Sequence, residues 1–355
     1  MVAIVTRQDP ASRVGHSKVA QNAEAFQHAL QVRRPAAQVR HVDPERTTVA
    51  ARHHMGYGDG RYPDQQDRAF WGTSSHIADA RTARELLCRA VKDIGDATQH
   101  YIEGGSTLSA AILTPDHKLT TLQIGDSPLG YVLVNRRTGK ADLRDLTEDQ
   151  SPDAPAELAR IKRRGGKVEH GRQVNGNADL ALARSFGDRE FVGITAKPTI
   201  QTLDLNQVLA NPDIDVFVFC ASGGLIECND TKDFEAEFKP GDKSADIARR
   251  CIDRALKSAE KAGVKKGDNI SVSIARLKRD SKVATYIGVA DGHGENAAEV
   301  AATVRSGIHH ALHARETESG TSRRHHASAR PRLAAPEQLA AAATSAGEQT
   351  TGVTG

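Results

Sequence analysis

The run Val216-Phe217-Val218-Phe219-Cys220-Ala221 constrains this chain more than any other segment. An unbroken apolar stretch of that length gives a strand with no polar face, so other structure has to cover both of its sides. Residues 109–113, 119–124 and 131–134 also read as strands, with a turn over 135–139. Ile270, Val272 and Ile274 alternate with polar neighbours, the pattern of a half-buried strand. Helical spacing interrupts these strands. Leu87, Ala90, Val91, Ile94, Ala97 and Tyr101 predict a helix over 82–101. Residues 155–164 look helical and stop at Gly165-Gly166. Ser244 opens a helix whose Ile247, Ala248, Cys251, Ile252, Ala255, Leu256 and Ala259 form one broad apolar face. Strands in the middle, broken by helices, point to two packed sheets with helices outside them.

The 355-residue length is ample for a sizeable core. With 38% hydrophobic and only 4% aromatic residues, that core must be built mainly of Ala, Val, Leu and Ile. A net charge of +3, from 48 basic against 45 acidic residues, gives no reason to expect a nucleic-acid or membrane-surface partner. No apolar run approaches the roughly 20 residues that cross a bilayer, and the first residues lack the apolar core of a secretory signal. Cys88, Cys220, Cys228 and Cys251 have no CxxC spacing and lie in apolar runs. They read as buried free thiols of a reducing, cytoplasmic compartment. Residues 1–54 read as a flexible arm, 55–315 as the globular unit, expected to be a monomer, and 316–355 as a disordered tail poor in large apolar residues.

The chemistry concentrates at Asp291-Gly292-His293-Gly294, between a strand-like run over 286–290 and a helix-like run over 296–312. A carboxylate at a strand end, a glycine that admits a cation to the backbone, and a titratable imidazole suit a hard metal ion and proton transfer. Alone, the four residues fit an inert turn equally well. Other blocks accompany them: Gly105-Ser106-Thr107, Gly125-Asp126-Ser127, the stretch 146–150, Val174-Asn175-Gly176, the stretch 180–188, the apolar run ending Ala221-Ser222-Gly223-Gly224, and Gly267-Asp268-Asn269.

In kind and largely in order, this series resembles the metal-dependent serine/threonine phosphatases of type 2C, the PPM family, over about residues 56–312. The resemblance implies an α+β fold, an αββα sandwich of two antiparallel sheets flanked by helices. It implies hydrolysis of phosphoserine and phosphothreonine in a phosphoprotein substrate by a dinuclear Mn²⁺ or Mg²⁺ site. Two such ions supply a nucleophile at neutral pH and neutralise the phosphoryl oxygens. Carried over by motif, Asp291 and the Gly292 carbonyl are metal ligands, with Asp268 a further one. His293 is the general acid, and Asp126, Asn269 and Thr107 line the site behind them. Gly60 to Arg68 resembles the block that carries a phosphate-binding arginine and an acidic pair, which assigns Arg61 and Asp67, although the arginine is out of register by one and Gln66 stands where an acid is usual.

Two departures follow from the resemblance. The family's strand ends Ala-Ser-Asp-Gly with a ligand aspartate, whereas here Gly223 takes that position, so one of the two metal subsites should be weak. Glu227 is near in sequence but more naturally faces solvent. The family's DGHG strand and helix also come early, between the arginine block and Gly-Ser-Thr. Here that slot holds only 71–75, and the unit follows the last strand instead. It either fills its usual slot from a new place in the chain or forms a local hairpin with 270–277. The alternative to catalysis is a pseudophosphatase, the same fold kept as a binding or scaffold module. Arg184 and Asp188 read as loop-fixing residues outside the site. The adjacent pairs His309-His310 and His325-His326 invite a metal reading, but neighbouring residues on a helix point different ways, which argues against it.

Overall fold

The computed structural model describes residues 49–54, 65–226, 231–264 and 267–313. In chain order these form β1 (Val49–His54), β2 (Arg68–Ser74), α1 (Ala80–Thr98), β3 (Gly105–Ser106), β4 (Leu108–Leu113), β5 (Lys118–Ile124), β6 (Leu129–Asn135) and β7 (Ala141–Asp145). Then come α2 (Pro155–Arg163), β8 (Lys167–Glu169), β9 (Arg172–Asn175), β10 (Ala178–Leu180), β11 (Phe186–Gly187), β12 (Thr199–Asp204), α3 (Asn206–Ala210) and β13 (Ile214–Ala221). Last are α4 (Gly223–Ile226), α5 (Thr231–Glu235), α6 (Ser244–Lys261), β14 (Ile270–Arg276), β15 (Ala284–Ala290), β16 (Gly292–His293) and α7 (Ala297–His313).

Two five-stranded antiparallel sheets face each other, one in the order β1-β14-β13-β6-β7 and the other β12-β5-β4-β15-β2. Period-two side-chain alternation divides their residues among three apolar layers. Val216, Val218 and Cys220 of β13 meet Ala111, Leu113, Ile287 and Val289 of the opposite sheet in the middle. Phe217, Phe219 and Ala221, one register away, point outward against Ile247, Cys251, Ile252 and Ala255 of α6. On the far side, Leu87, Ala90 and Ile94 of α1 and Val300, Val304 and Ile308 of α7 cover Leu108, Ile112 and Leu122. The strand without a polar face is therefore sandwiched as expected, and α1 and α6 lie on opposite outer faces. Each fully buried leucine or isoleucine in these layers contributes about 1.5–3 kcal/mol.

Helix α1 begins where the Asp79 carboxylate accepts the Thr82 amide at 2.8 Å, satisfying one of the free N–H groups of the first turn. At the other end of the chain, the hairpin alternative is not formed. β14 and β15 belong to different sheets, and β15 inserts between β4 and β2, pairing Ile287 with both Ala111 and Trp71.

Several expectations need correction. β14 is buried on both faces, and the single Ser273 hydroxyl proton has the Gly288 carbonyl at 2.9 Å and the Phe70 carbonyl at 3.2 Å as acceptors, so the hydroxyl sits in the core satisfied. Residues 49–54, counted in the N-terminal arm, are an edge strand on β14. Residues 71–74, read as a bare connection, belong to β2. Cys88 is exposed on α1, while Cys220 and Cys251 are buried as expected. Cys228, Glu227, the arm through 48 and the tail from 316 lie outside the described residues.

Candidate active site

One end of the sandwich gathers the blocks that carry chemistry. Asp291 follows directly on β15, so its position is set by the sheet. Its carbonyl accepts the Thr107 amide at 2.9 Å, and its own amide donates to Thr107 Oγ1 at 3.2 Å. Thr107 Oγ1 in turn lies 2.6 Å from Ser127 Oγ, which ties the Gly-Ser-Thr block to the Gly-Asp-Ser turn. Asp67 precedes β2, next to β15, and is 1% exposed. Asp268 and Asn269 precede β14. Asn269 Oδ1 accepts the Gln66 amide at 2.7 Å, and Asp268 Oδ1 accepts the Asn269 amide at 2.7 Å.

Asp67, Asp268 and Asp291 are close enough to perturb one another. Burial, opposed by nearby Ser222 and Asp291 and reinforced by the Asp268 charge, pushes the Asp67 carboxyl up to about 6. Neither Asp67 oxygen has a hydrogen bond of good geometry, although Ser222, Ser271 and Asp291 lie near enough to temper the rise. Asp291 is raised well above the usual carboxylate range by burial and then by the Asp67 and Asp268 charges. The Gly223 amide, which donates to Asp291 Oδ2 at 2.9 Å, partly offsets this. Asp126 is an exposed residue, yet its carboxyl is raised as well, first by desolvation and then by the Asp268 charge, with its own amide and His293 opposing. The result is a concentration of carboxylates at one end of the sandwich.

His293 is held differently. β16, carrying Gly292 and His293, pairs with β3, and β3 pairs with β11, so a small sheet brings residues 105–106, 186–187 and 292–293 together. Asp188 follows β11 with φ 50°, and its Oδ2 lies 2.7 Å from His293 Nε2. Ser185 Oγ donates to the same oxygen. Gly105 is needed for this approach, since a Cβ there would lie 2.2 Å from Asp188 Oδ2. Burial alone would lower the His293 pKa. The Asp188 charge and hydrogen bond, backed by Asp126 and Asp268, outweigh it and raise the pKa.

This dyad corrects one expectation. Asp188, read as a loop residue outside the site, is the partner of the imidazole, whereas Arg184 does fix structure through its 2.5 Å ion pair with buried Glu157. Asp188 and His293 are 105 residues apart, and only the shared partner strand β3 reveals the pair. Of the residues named from sequence, the structure brings Asp67, Asp126, Asp268, Asn269, Asp291, Gly292, His293 and Thr107 to one end. Arg61 lies outside the described residues.

The protein phosphatase 2C family pattern matches residues 64–264, more than half of the chain. The chain belongs to the protein phosphatase 2C family. Protein phosphatase 2C homolog 3 of Schizosaccharomyces pombe is 32% identical over 222 residues, covering 59% of this chain and 50% of that protein. Probable protein phosphatase 2C 69 of Arabidopsis thaliana is 30% identical over 219 residues, covering 61% of this chain and 54% of the relative. The chain thus spans about half the length of the curated relatives it matches. Among solved structures, the serine-threonine phosphatase 2C from Toxoplasma gondii superposes with a TM-score of 0.50 at 16% identity, over 67% of this chain and 96% of that one. That likeness concerns the αββα fold, which the layers described above share. The family match ends at residue 264, so Asp268 and the Asp291-Gly292-His293 block lie beyond it.

A donor set of carboxylate oxygens fits a hard divalent cation. Two buried Asp67 oxygens without hydrogen bonds, beside a second carboxyl raised by its neighbours, are groups that a cation would satisfy. Among the described residues, however, no three Asp, Glu, His or Cys side chains close around a single point. At Gly223 the chain offers Asp291 a backbone N–H, at 2.9 Å, and no side chain.

Proposed function

We propose that this chain hydrolyses phosphoserine and phosphothreonine in proteins, using Mn²⁺ or Mg²⁺ at the Asp67–Asp268–Asp291 end of the sandwich. The observation that carries this reading is the pairing of a carboxylate cluster, built around buried Asp67 and Asp291, with an adjacent His293–Asp188 dyad. Asp291, Asp67, Asp268 and the Gly292 carbonyl would hold the metal, which supplies Lewis acidity and an activated nucleophile at neutral pH. Asp188, bound at Nε2, favours the His293 imidazolium, which leaves Nδ1–H to donate to the leaving serine or threonine oxygen. Asp188 acts through His293 by fixing the ring's orientation and charge. Thr107 and Ser127 hold the Asp291 backbone in place behind the cluster. Arg61 is assigned to the substrate phosphate by its motif alone.

We further read β15 and α7 as the family's early strand–helix unit carried on the C-terminal side of this chain. The support is its position, with β15 between β4 and β2 and Asp291 facing the Gly223 end of β13. The phosphatase-like unit is assigned to residues 55–315, with β1 added at its edge.

Gly223 favours a second reading, a pseudophosphatase retained as a binding module. Hydrolysis of p-nitrophenyl phosphate and a phosphothreonine peptide, with and without millimolar Mn²⁺, separates the two. Metal-dependent turnover that Asp291→Asn abolishes supports the enzyme. Absence of turnover at any Mn²⁺ concentration, in a folded protein, overturns it in favour of the binding module.

A further inference from the structure

Helix α7 begins at the active site and ends in a second cluster that the phosphatase reading does not use. His309 and His313 lie four residues apart on α7, so they share a face, and their ring centroids are 4.4 Å apart. His309 Nδ1 lies 2.8 Å and His313 Nε2 2.6 Å from the same atom, the Tyr286 hydroxyl. Tyr286 on β15 is 1% exposed and is seated over Gly72 of β2, where a Cβ would lie 2.3 Å from the hydroxyl. Both imidazoles reach solvent, so an ion has access to them. Neighbouring His310 is on another side of the helix.

From this convergence we propose that His309 and His313 form a chelating site for a zinc-class transition-metal cation, separate from the carboxylate centre. Two imidazoles one helical turn apart are the donor set that borderline cations such as Zn²⁺, Ni²⁺ and Cu²⁺ prefer over Mg²⁺ or Mn²⁺. No three Asp, Glu, His or Cys side chains close on one point among the described residues, so the protein supplies two nitrogens and water completes the shell. At 1.5 Å per residue, His309 lies roughly 18 Å along α7 from Ala297 at its active-site end.

The protons balance simply. A phenol has one proton to give, so with the metal absent one imidazole accepts from Tyr286 and the other donates to it. On chelation both rings turn a lone pair from the Tyr286 hydroxyl to the cation, the donating ring's proton moves to its other nitrogen, and Tyr286 keeps its own proton. Burial, the proximity of His313, and then Arg305 and His310 hold His309 down to about 4, and burial with His76 lowers His313, so both rings are neutral at pH 7. The Arg305 charge opposes a cation and should keep the affinity moderate.

The test uses the full chain, with its carboxylate centre kept saturated by Mg²⁺, and adds ZnCl₂ during thermal unfolding. Saturating zinc should raise the melting temperature by about 5 °C. His309→Asn and His313→Gln should each remove that rise, while Asp291→Asn and Tyr286→Phe keep it. Cobalt(II) titration supplies a second readout: a visible band in the parent that His313→Gln loses. A parent with neither response overturns the site. So does a zinc response or cobalt band that survives in both folded histidine variants, since it then arises elsewhere. If one histidine variant fails to fold, the other decides: a cobalt band that it loses supports the imidazole site, and a band that it keeps refutes it.

Discussion

Gly223→Asp tests whether this site is a weakened metal centre, and the structure sets its expected magnitude. A Cβ at Gly223 meets only Asp291 Oδ2, at 3.6 Å, an ordinary contact, and the glycine is not in the left-handed region. Neither a Cβ clash nor a backbone penalty therefore opposes the substitution, and its main effect is electrostatic. The scale comes from Asp67, whose rise from 3.8 to about 6 corresponds to about 3 kcal/mol for one carboxylate kept charged at this place. A further carboxylate beside Asp291 should cost a similar amount in chelator, lowering the melting temperature by about 6–10 °C. With Mn²⁺ the sign reverses, because the added charge and oxygen become ligands. Half-saturation by Mn²⁺ should fall by at least about tenfold, and turnover should rise. Thermal unfolding in EDTA and in graded Mn²⁺, beside phosphatase assays of both proteins, measures each part. A variant with unchanged stability in EDTA and an unchanged Mn²⁺ requirement would show that position 223 does not face the cluster. Instability under both conditions would refute the claim that the substitution is sterically free.

Two further outcomes follow from perturbed groups. Asp188→Asn removes the charge that raises His293, leaving burial to lower it, so the high-pH limb of the kcat profile should move to lower pH; an unmoved limb refutes the dyad. His309 sits at about 4 in the fold against an ordinary 6.5, because burial and the neighbouring His313, Arg305 and His310 charges disfavour its protonated form. The unfolded chain therefore takes up the proton first, and stability is lost as pH falls from 6.5 towards 4. After discounting for its solvent exposure, that loss is about 1–2 kcal/mol. His309→Gln should flatten the melting-temperature profile over this window, and an unchanged slope counts against the assignment.

The layers were legible because each rests on local periodicity. The continuous run of β13 demanded cover on both faces, and the broad stripe of α6 supplied half of it. What escaped notice depends on partners distant in sequence. β14 alternates apolar and hydroxyl residues, which reads as a wet face, but Ser273 finds carbonyl acceptors on the opposite sheet. β1 has no periodic signal because it is an edge strand, recognisable only from its pairing with β14. Asp67, Asp268 and Asp291 were readable as motif residues, whereas Asp188 reaches His293 through a two-residue strand too short to leave a pattern. The histidines illustrate the same limit. Considered as neighbours, His309 and His310 diverge, and the pair that converges is His309 with His313, brought together by Tyr286 from another element.

A site assembled from residues 67, 126, 188, 268 and 291 requires that chain order not dictate position in the sheet. The connection from β14 to β15 meets that requirement. Residues 277–283 lead from one sheet to the other, and facing sheets pack about 10 Å apart. A segment of that length spans up to about 23 Å when extended, so it reaches the opposite layer with slack. Leu277 still docks in the central core and its amide donates to the Val216 carbonyl at 2.8 Å, which anchors the start of the crossing. Once across, β15 meets β4 and β2 through antiparallel ladders on both sides, so its backbone groups are satisfied without a sequence neighbour. α7 then packs on α1, burying Val300, Val304 and Ile308 against Leu87, Ala90 and Ile94. The energetic demand on β15 is a free slot with matching faces on each side, and Asp291 arrives at the cluster because the ladder register places it there.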